Sequence, residues 1–234
     1  IAAVGKGSFP DTYLKSDTLN NIFYKEEYYS ELTFHYWYWK NLLKISDNSW
    51  VGFCQKRRFW IKSSSSKNII SKENIKEHLL VEPENDWNKY QSIICKPISV
   101  AGAKRLKILK RGWRSVIKKP SILFNEEKQN IKLHFDMHHG YGNLERAIDL
   151  LDVEDKSDFN NYVINNSIFN PHIMFIAKKD ILNKWFSKLF PWLEKCENQF
   201  GFDNLKGYDT KRLYAYLAER YLSFWFKKYT VYKE

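Results

Sequence analysis

Two adjacent arginines, Arg57 and Arg58, are the residues of this sequence whose chemistry is easiest to specify. Guanidinium groups bind phosphate through charge-assisted hydrogen bonds, each worth about 1.5 to 3 kcal/mol. The pair follows a short apolar run, residues 50–54, that is typical of a buried strand, and ligands of open α/β sheets bind at that end of a strand. We interpret the pair as a phosphate-binding site. Surface arginines paired with carboxylates are the alternative, and only one of the two would face a cleft if the strand continued through both.

A histidine pair occurs in the stretch HFDMHHGYGN. Gly140 and Gly142 predict a tight turn there. Near neutral pKa, His138 or His139 is able to donate a proton to a leaving phosphate or to orient a hydroxyl. Asp136 is close in sequence, but a metal site would need a third ligand. Ordinary turn histidines are the alternative interpretation.

Acidic residues lie at the start of the last predicted helix, residues 210–228, and within it. Asp209 is at a natural N-cap position, the common use of Asp before a helix, and it is also a candidate base for an acceptor hydroxyl. Glu219 and Arg220 interrupt the apolar run YAYLAERYLSFWF. A structural ion pair is the simpler interpretation of these two residues, and a catalytic base is the other.

The stretch ELTFHYWYWKN, residues 31–41, carries four consecutive aromatic rings. Successive helical residues are rotated by about 100°, so the rings at positions 36–39 cannot all face one core. Two interpretations remain open. The helix is either sandwiched between two packed layers or lines a sugar-sized pocket, since such pockets are mostly apolar with a few polar groups. Lys40 and Asn41 follow the rings with polar head groups.

The composition is that of a basic globular chain. Its 234 residues are 44% apolar, and 38 basic against 27 acidic residues give a formal net charge of +11. That charge favours polyanions, an anionic membrane surface or phosphorylated small molecules as partners. Three cysteines without CxxC spacing support neither a disulfide framework nor a zinc site and indicate a reducing cytoplasm. No apolar run approaches the ~20 residues that span a bilayer.

The densest basic region is KRLKILKRGWRSVIKK, which runs from Lys104 to Lys119. Basic residues alternate here with Leu, Ile, Val and Trp, as in segments that lie on an anionic membrane or along a phosphate backbone. The alternative is a solvated surface element with a small apolar underside. Gly112 weakens the interpretation as one helix.

Short apolar runs alternate with amphipathic segments, which predicts an α/β layer structure in one domain, residues 1–234. The predicted strands are residues 50–54, 92–95 and 173–177. The predicted helices are residues 28–45, 73–80, 143–151, 158–164 (capped by Ser157 or Asp158), 180–192 (kinked or broken at Pro191) and 210–228. No P-loop, GxGxxG, GxSxG or HExxH motif is present, and no DxD follows a strand.

Several blocks between residues 17 and 226 occur in an order shared with one protein family. They are Asn21-Ile22; Tyr29-Ser30-Glu31-Leu32-Thr33; Tyr36-Trp37 with Trp39-Lys40-Asn41; Val51-Gly52; Arg57-Arg58-Phe59; Met174-Phe175-Ile176 with Lys178-Lys179; Leu189-Phe190-Pro191; and Arg212 with Tyr216-Leu217-Ala218-Glu219-Arg220. In these blocks the chain resembles a family of bacterial glycosyltransferases of capsular polysaccharide synthesis, domain of unknown function 4422. Gln55 and Lys56 replace the His-Tyr of the family pattern, and Ile173 stands where Asn is usual. These departures predict altered sugar specificity or reduced activity.

The resemblance implies an α/β, GT-A-like (Rossmann-like) fold, an open mixed sheet flanked by helices. Family members begin with a strand upstream of Ile1, so we expect this domain to lack its first strand. The implied reaction transfers a sugar from a nucleotide-sugar donor to a bacterial surface glycan, in capsule or lipopolysaccharide, with a glycan or lipid-linked acceptor. We expect no metal cofactor, because arginines take its place on the diphosphate, although a divalent cation stays open.

The resemblance also implies site residues. The donor-binding candidates are Asn21, Glu31, Thr33, Trp37, Lys40, Arg57 and Arg58. The catalytic candidates are Asp209, as base for the acceptor hydroxyl, and His139. We expect a cytoplasmic protein, peripheral at the inner membrane face through residues 104–119, and no nucleic acid as partner. Two other functions stay open: a single-stranded nucleic-acid-binding module, since basic residues among Trp and Tyr suit base stacking, and an inactive scaffold in a glycan assembly complex.

Overall fold

The computed structural model describes residues 2–3, 5, 7–45, 49–66 and 68–234. Its strands are β1 (Ala2–Ala3), β2 (Leu14–Lys15), β3 (Trp50–Phe53), β4 (Ser92–Ile94), β5 (Ile98–Ser99), β6 (Ile168–Phe169), β7 (Phe175–Lys178) and β8 (Tyr232–Lys233). Its α-helices are α1 (Glu26–Tyr29), α2 (Leu32–Asn41), α3 (Ile75–His78), α4 (Arg105–Arg111), α5 (Trp113–Lys118), α6 (Ile131–His139), α7 (Asn143–Asp149), α8 (Val153–Asn165), α9 (Lys179–Phe200), α10 (Tyr208–Lys211) and α11 (Leu213–Tyr229).

The largest sheet among the described residues has the strand order β3-β7-β4-β8. β7 is antiparallel to both of its neighbours, so Phe175 pairs with Phe53 on one side and with Ile94 on the other. β3 and β4 therefore run in the same direction, and β8 is parallel to β4. As a result, the residues after β3 and β4 meet the residues before β7 at one edge of the sheet, here called the site edge.

Helices α9 and α11 cover one face of this sheet. Apolar residues of α9 recur at helical spacing and are buried, with Trp185 and Phe186 fully so. Phe175 of β7 contacts Phe226 of α11 at a ring distance of 5.1 Å. Each large apolar side chain buried in this layer contributes roughly 1.5 to 3 kcal/mol of transfer free energy. The opposite face is covered by a smaller cluster in which Ile176 packs with Trp87.

The aromatic stretch of α2 lies between two packed layers, the first of the two interpretations. Tyr36 and Trp39 contact Phe190 of α9 at ring distances of 5.1 and 5.6 Å. Trp37 is buried, and its Nε1 donates to the carbonyl oxygen of Thr18 at 2.9 Å on the other side. These rings are therefore used to hold α2 against α9 and against the N-terminal loop.

The predicted helix over residues 28–45 is wrong in its extent. The chain forms α1 and α2 instead, separated at Ser30, whose φ of 50° lies in the left-handed region. That conformation ends α1 and starts a new helix axis, and nothing in the residue type of Ser30 indicates it. The predicted strands near residues 50, 92 and 175 are confirmed, because short apolar runs bounded by polar residues occupy the buried sheet.

Two predicted caps are wrong, and of the kink or break predicted at Pro191 the break does not occur. Helix α8 begins at Val153, so Ser157 and Asp158 lie inside it rather than at its N-cap. Pro191 lies within the continuous helix α9. Asp209 lies inside α10 and does not cap the long helix α11, whose N-cap is Arg212.

The basic region forms two helices, α4 and α5, that meet at Gly112. This agrees with the expectation that Gly112 disfavours a single helix. A Cβ at position 112 would lie 3.0 Å from the carbonyl oxygen of Ile108 and 3.0 Å from Met137 Cγ, closer than ordinary van der Waals contact, so glycine suits this close approach to α6. No helix in the described part of the chain is both long and apolar enough to cross a bilayer.

Candidate active site

The site edge brings together three segments that are far apart in sequence. Gln55 follows β3, Cys95 follows β4, and His172 precedes β7. Cys95 Sγ donates to the carbonyl oxygen of Met174 at 3.7 Å, and Asn170 Nδ2 donates to the carbonyl oxygen of Cys95 at 2.5 Å. These bonds fix the residues before β7 against the end of β4.

A tight turn follows β3. The backbone N–H of Gln55 donates to the carbonyl oxygen of Arg58 at 3.2 Å, and the N–H of Arg58 returns the bond at 3.1 Å. Lys56 and Arg57 form the tip of this turn, so the strand does not continue through both arginines. Arg58 Nη1 donates to Gln55 Oε1 at 3.3 Å, and Gln55 Nε2 donates to Glu31 Oε1. One amide thus joins the guanidinium of Arg58 to the carboxylate of Glu31.

His172 has an unusual backbone conformation that Glu219 stabilises. Its φ of 68° lies in the left-handed region, which is costly for a residue with a side chain. The N–H of His172 donates to Glu219 Oε1, while Glu219 Oε2 accepts from Arg220 Nη1. Arg220 is itself buried, with its guanidinium carbon 3.8 Å from the ring centre of Phe169. Helix α11 therefore holds the loop before β7 in place.

Charges from both sides of the site edge act on the same groups. The pKa of His172 is lowered mainly by burial and then by the positive charge of Arg58, against the opposing effects of Glu219 and Glu31. Burial raises the pKa of the Cys95 thiol to about 11, and the same Arg58 and Glu219 act on it with opposite signs. At neutral pH the imidazole is therefore uncharged and able to accept a proton, and the thiol stays protonated.

We call the residues that share this region the edge cluster: Glu31, Gln55, Arg58, His172 and Glu219. They combine an exposed guanidinium, a neutral imidazole and two carboxylates at the carboxyl ends of β3 and β4. That is where ligands bind in open α/β sheets. Such a set is able to bind an anionic group and to accept a proton from a hydroxyl nearby.

The model of one protein family, described as Domain of unknown function (DUF4422), matches residues 2–230. The chain belongs to this family. The resemblance found in the sequence blocks is thereby confirmed. A search of curated proteins found no match for this DUF4422 chain.

A solved structure shares the fold of this DUF4422 chain. The apo structure of WbbM, a bifunctional glycosyltransferase, is similar with a TM-score of 0.64 and 20% sequence identity. The similarity covers 92% of this chain but 36% of the WbbM chain, so this chain spans about a third of that protein. The expected fold class, an open mixed sheet flanked by helices, is confirmed.

The predicted catalytic residues of the DUF4422 chain contact each other. His139 Nδ1 donates to the backbone carbonyl oxygen of Asp209 at 2.8 Å, and the His139 ring stacks on Tyr216 at 3.8 Å. Burial, its largest cause, lowers the pKa of His139 to about 3. The Asp209 carboxylate is half-exposed and accepts from Arg111 Nη1 at 3.1 Å. His139 thus holds the backbone of α10, and among the described residues neither His139 nor Asp209 forms a hydrogen bond or ion pair with the edge cluster.

Three of the predicted donor-binding residues use their polar atoms within the protein. Asn21 Oδ1 accepts from the N–H of Phe23 at 3.0 Å. The buried Thr33 hydroxyl donates to the carbonyl oxygen of Ser30 at 2.9 Å, and the Trp37 indole donates to Thr18. These bonds shape the N-terminal loop and the start of α2.

The remaining predicted donor-binding residues differ in their surroundings. Glu31 and Arg58 belong to the edge cluster. Arg57 is exposed and has no hydrogen-bond or ion-pair partner among the residues that the structure describes. The Lys40 ammonium lies 3.5 Å from the ring centre of Trp39, and its pKa is lowered by burial and then by Lys44.

A hollow of about 320 Å³ lies beside the N-terminal loop. Its lining residues are Gly5, Gly7, Ser8, Phe9, Asp11, Lys15, Asp17 and Phe23. Neither arginine of the predicted pair lines this hollow, and the Lys15 ammonium is paired with Asp11 at 2.9 Å. Within the described ranges, no three His, Cys, Asp or Glu side chains are grouped so as to hold a metal ion.

Sequence reasoning missed His172 and Gln55 as site residues and gave Glu219 a minor place. The available signal was position, since His172 directly precedes a predicted strand and Gln55 directly follows one. The sequence does not reveal that β7 is antiparallel to β3 and β4. Without that direction, the start of one strand cannot be assigned to the same edge as the ends of the others.

Proposed function

We propose that this DUF4422 chain is a glycosyltransferase that moves a sugar from a nucleotide-sugar donor to a bacterial surface glycan, in capsule or lipopolysaccharide. The observation that carries the proposal is the edge cluster, which combines an anion-binding side chain and a proton acceptor at the ligand-binding edge of the sheet. The fold shared with WbbM, named a bifunctional glycosyltransferase, supports the same reaction class.

In this proposal, the arginines stabilise the leaving nucleoside diphosphate. Gln55 accepts one N–H of the Arg58 guanidinium, which leaves other donors of that group for phosphate oxygens. Arg57 at the tip of the turn is exposed and supplies a second guanidinium. Negative charge develops on the diphosphate as the bond to the sugar breaks, so donors aimed at that position lower the barrier.

His172 is the base that we propose for the acceptor. Its neutral imidazole takes the proton of the acceptor hydroxyl while that oxygen bonds to the anomeric carbon, and the electron pair of the broken bond leaves with the diphosphate. Glu219 is a positioning residue, because it bonds the backbone N–H of His172 and so fixes where the imidazole lies. Asp209 stays a second candidate for the base.

The nucleic-acid alternative required accessible rings for base stacking. In α2, Trp37 is buried, and Tyr36 and Trp39 pack against Phe190. Because these rings are occupied by the core, base stacking would have to use other rings, such as the half-exposed Trp113 of the basic region.

The test is a panel of nucleotide-sugars, with donor hydrolysis and transfer measured with and without EDTA. A nucleoside diphosphate should raise the melting temperature of the wild-type protein. Arg58→Ala should weaken its affinity about tenfold or more, and the Arg57→Ala, Arg58→Ala double variant should lose the shift. Lys72→Ala removes an exposed charge elsewhere and is the matched control. If no nucleotide-sugar is turned over and no nucleotide raises the melting temperature, the result favours the inactive scaffold.

A further inference from the structure

Helices α4 and α5 present large apolar side chains to the solvent. Leu106 is 81% exposed, Ile117 69% and Trp113 50%, and Phe124 just beyond α5 is 74% exposed. Four such side chains within one short region are unusual for the free surface of a protein. We call the outward surface of α4 and α5, together with Phe124, the α4–α5 face.

The apolar underside of these helices is already used. Ile108 is fully buried and packs with Ile122, Leu133 and Met137. At about 100° per residue, Leu106 lies on the side of α4 opposite Ile108. The exposed residues are therefore not part of this small core, and a second, outward apolar surface remains.

The α4–α5 face is also strongly basic. Residues 104–119 contain eight Lys and Arg residues and no Asp or Glu. Among the described residues, Arg111 alone of these eight forms an ion pair, with Asp209. Arg114 lies over the Trp113 ring, 5.3 Å from its centre, so cationic and apolar groups alternate along the surface. Acidic residues begin again only at Glu126, after Phe124.

We propose that the α4–α5 face binds the surface of an anionic membrane. Leu106, Trp113 and Ile117 insert among the lipid headgroups, while the Lys and Arg side chains bind lipid phosphates and extend their alkyl chains along the apolar surface. Charge complementarity favours an anionic partner. The exposed aliphatic side chains favour lipid over nucleic acid, because Leu and Ile do not stack on bases and gain nothing from a phosphate backbone.

The test is co-sedimentation with vesicles, which needs no turnover and is independent of the proposed reaction. Vesicles of phosphatidylcholine with phosphatidylglycerol should bind the protein at least about tenfold more tightly than phosphatidylcholine alone, and added salt should weaken that binding. A single-stranded oligonucleotide is measured in parallel. Binding to the oligonucleotide but not to anionic vesicles, or to neither, overturns the proposal.

Two variants separate the apolar and the electrostatic contributions. Leu106→Gln with Ile117→Gln keeps the charge and should reduce vesicle binding about tenfold or more. Lys110→Gln with Arg114→Gln should make vesicle binding less dependent on salt concentration. Ile69→Gln with Val81→Gln replaces two exposed apolar residues elsewhere and should bind as wild type. Circular dichroism confirms that each variant is folded, and equal vesicle binding by the Leu106/Ile117 variant and the wild type overturns the proposal.

Discussion

Arg58 and Glu31 are joined through a single side-chain amide, since Gln55 accepts from the guanidinium and donates to the carboxylate. The amide therefore holds the two charged groups in position. Among the described residues, no hydrogen bond joins Arg58 and Glu31 directly. An amide in this place orients Arg58 without neutralising it. The guanidinium keeps its full charge for a ligand, which a direct ion pair with Glu31 would reduce.

Gln55→Ala should weaken nucleoside diphosphate binding about two- to twelvefold, the effect of losing one hydrogen bond worth roughly 0.5 to 1.5 kcal/mol. Gln55→His, which restores the residue of the family pattern, should keep the affinity, because a neutral imidazole also has one donor and one acceptor nitrogen. Isothermal titration calorimetry measures both. Gln199→Ala, an exposed glutamine on α9, is the control. Unchanged affinity in Gln55→Ala would show that the amide does not orient Arg58.

His172→Gln should lower turnover about 10²- to 10⁴-fold while leaving nucleotide affinity intact, since a base acts in the chemical step. The wild-type rate should rise with pH through the pKa of His172 and level off above it. Because that pKa is lowered from 6.5, the rise should be complete below neutral pH. Asp209→Asn is measured in parallel. A loss confined to Asp209→Asn, with a normal rate in His172→Gln, would transfer the role of base to Asp209.

Stability should fall as the pH drops below neutrality, in part because of His35. Burial lowers the pKa of His35 from 6.5 to about 3, so between these values the unfolded chain binds a proton that the folded protein does not. Folding is therefore disfavoured as the pH falls through this range, by roughly 2 kcal/mol near pH 5. His35→Phe suits the surrounding rings, of which Phe53 is 4.1 Å away, and should flatten this dependence.

Urea denaturation at about pH 7 and pH 5 measures the effect, and the difference between the two pH values is the quantity to compare. Any pH-independent change in the free energy of unfolding that the larger Phe ring causes cancels in that difference. Two other histidines with a lowered pKa, the half-buried His134 and the buried His139, leave a remaining pH dependence of stability in the variant. Equal pH dependence in the variant and the wild type would mean that His35 does not carry the linkage.

Ser30→Gly should stabilise the fold by about 1 kcal/mol, because Ser30 has a φ of 50°, which glycine adopts without the steric cost. The Ser30 carbonyl oxygen that accepts from Thr33 is retained. Thermal unfolding should show a rise of about 2 to 4 °C. Ser66→Gly is the control, since its φ of −60° suits any residue and the substitution there should be neutral or destabilising. A lower melting temperature in Ser30→Gly would contradict the argument.

The strands of the sheet and the family could be predicted from sequence, because short apolar runs and ordered blocks of residues are local signals. The break at Ser30 could not, since serine is not a residue that usually adopts positive φ. Asp209 has the residue type of a cap, but the chain makes one extra turn of helix, α10, before α11. Local propensity was overridden there by tertiary contacts, including the bond from His139.

The site was only partly predictable for a related reason. Glu31 and Arg58 were expected together from the family pattern, and their link through Gln55 occurs where the chain departs from that pattern. His172 depends on a backbone conformation and on the direction of β7, which are properties of the assembled sheet. Residue types alone carry no information on either.

The central position of β7 has a consequence for how the site tolerates change. Phe175 is paired on both sides, so one strand sets the alignment of β3 and of β4 at once. A slip of one residue in β7 would turn its side chains to the opposite face and displace the residues after β3 and after β4 together. The distance between Gln55 and Cys95 is thus set by the pairing of β3 and β4 with the same strand, and neither strand can shift along β7 without breaking that pairing.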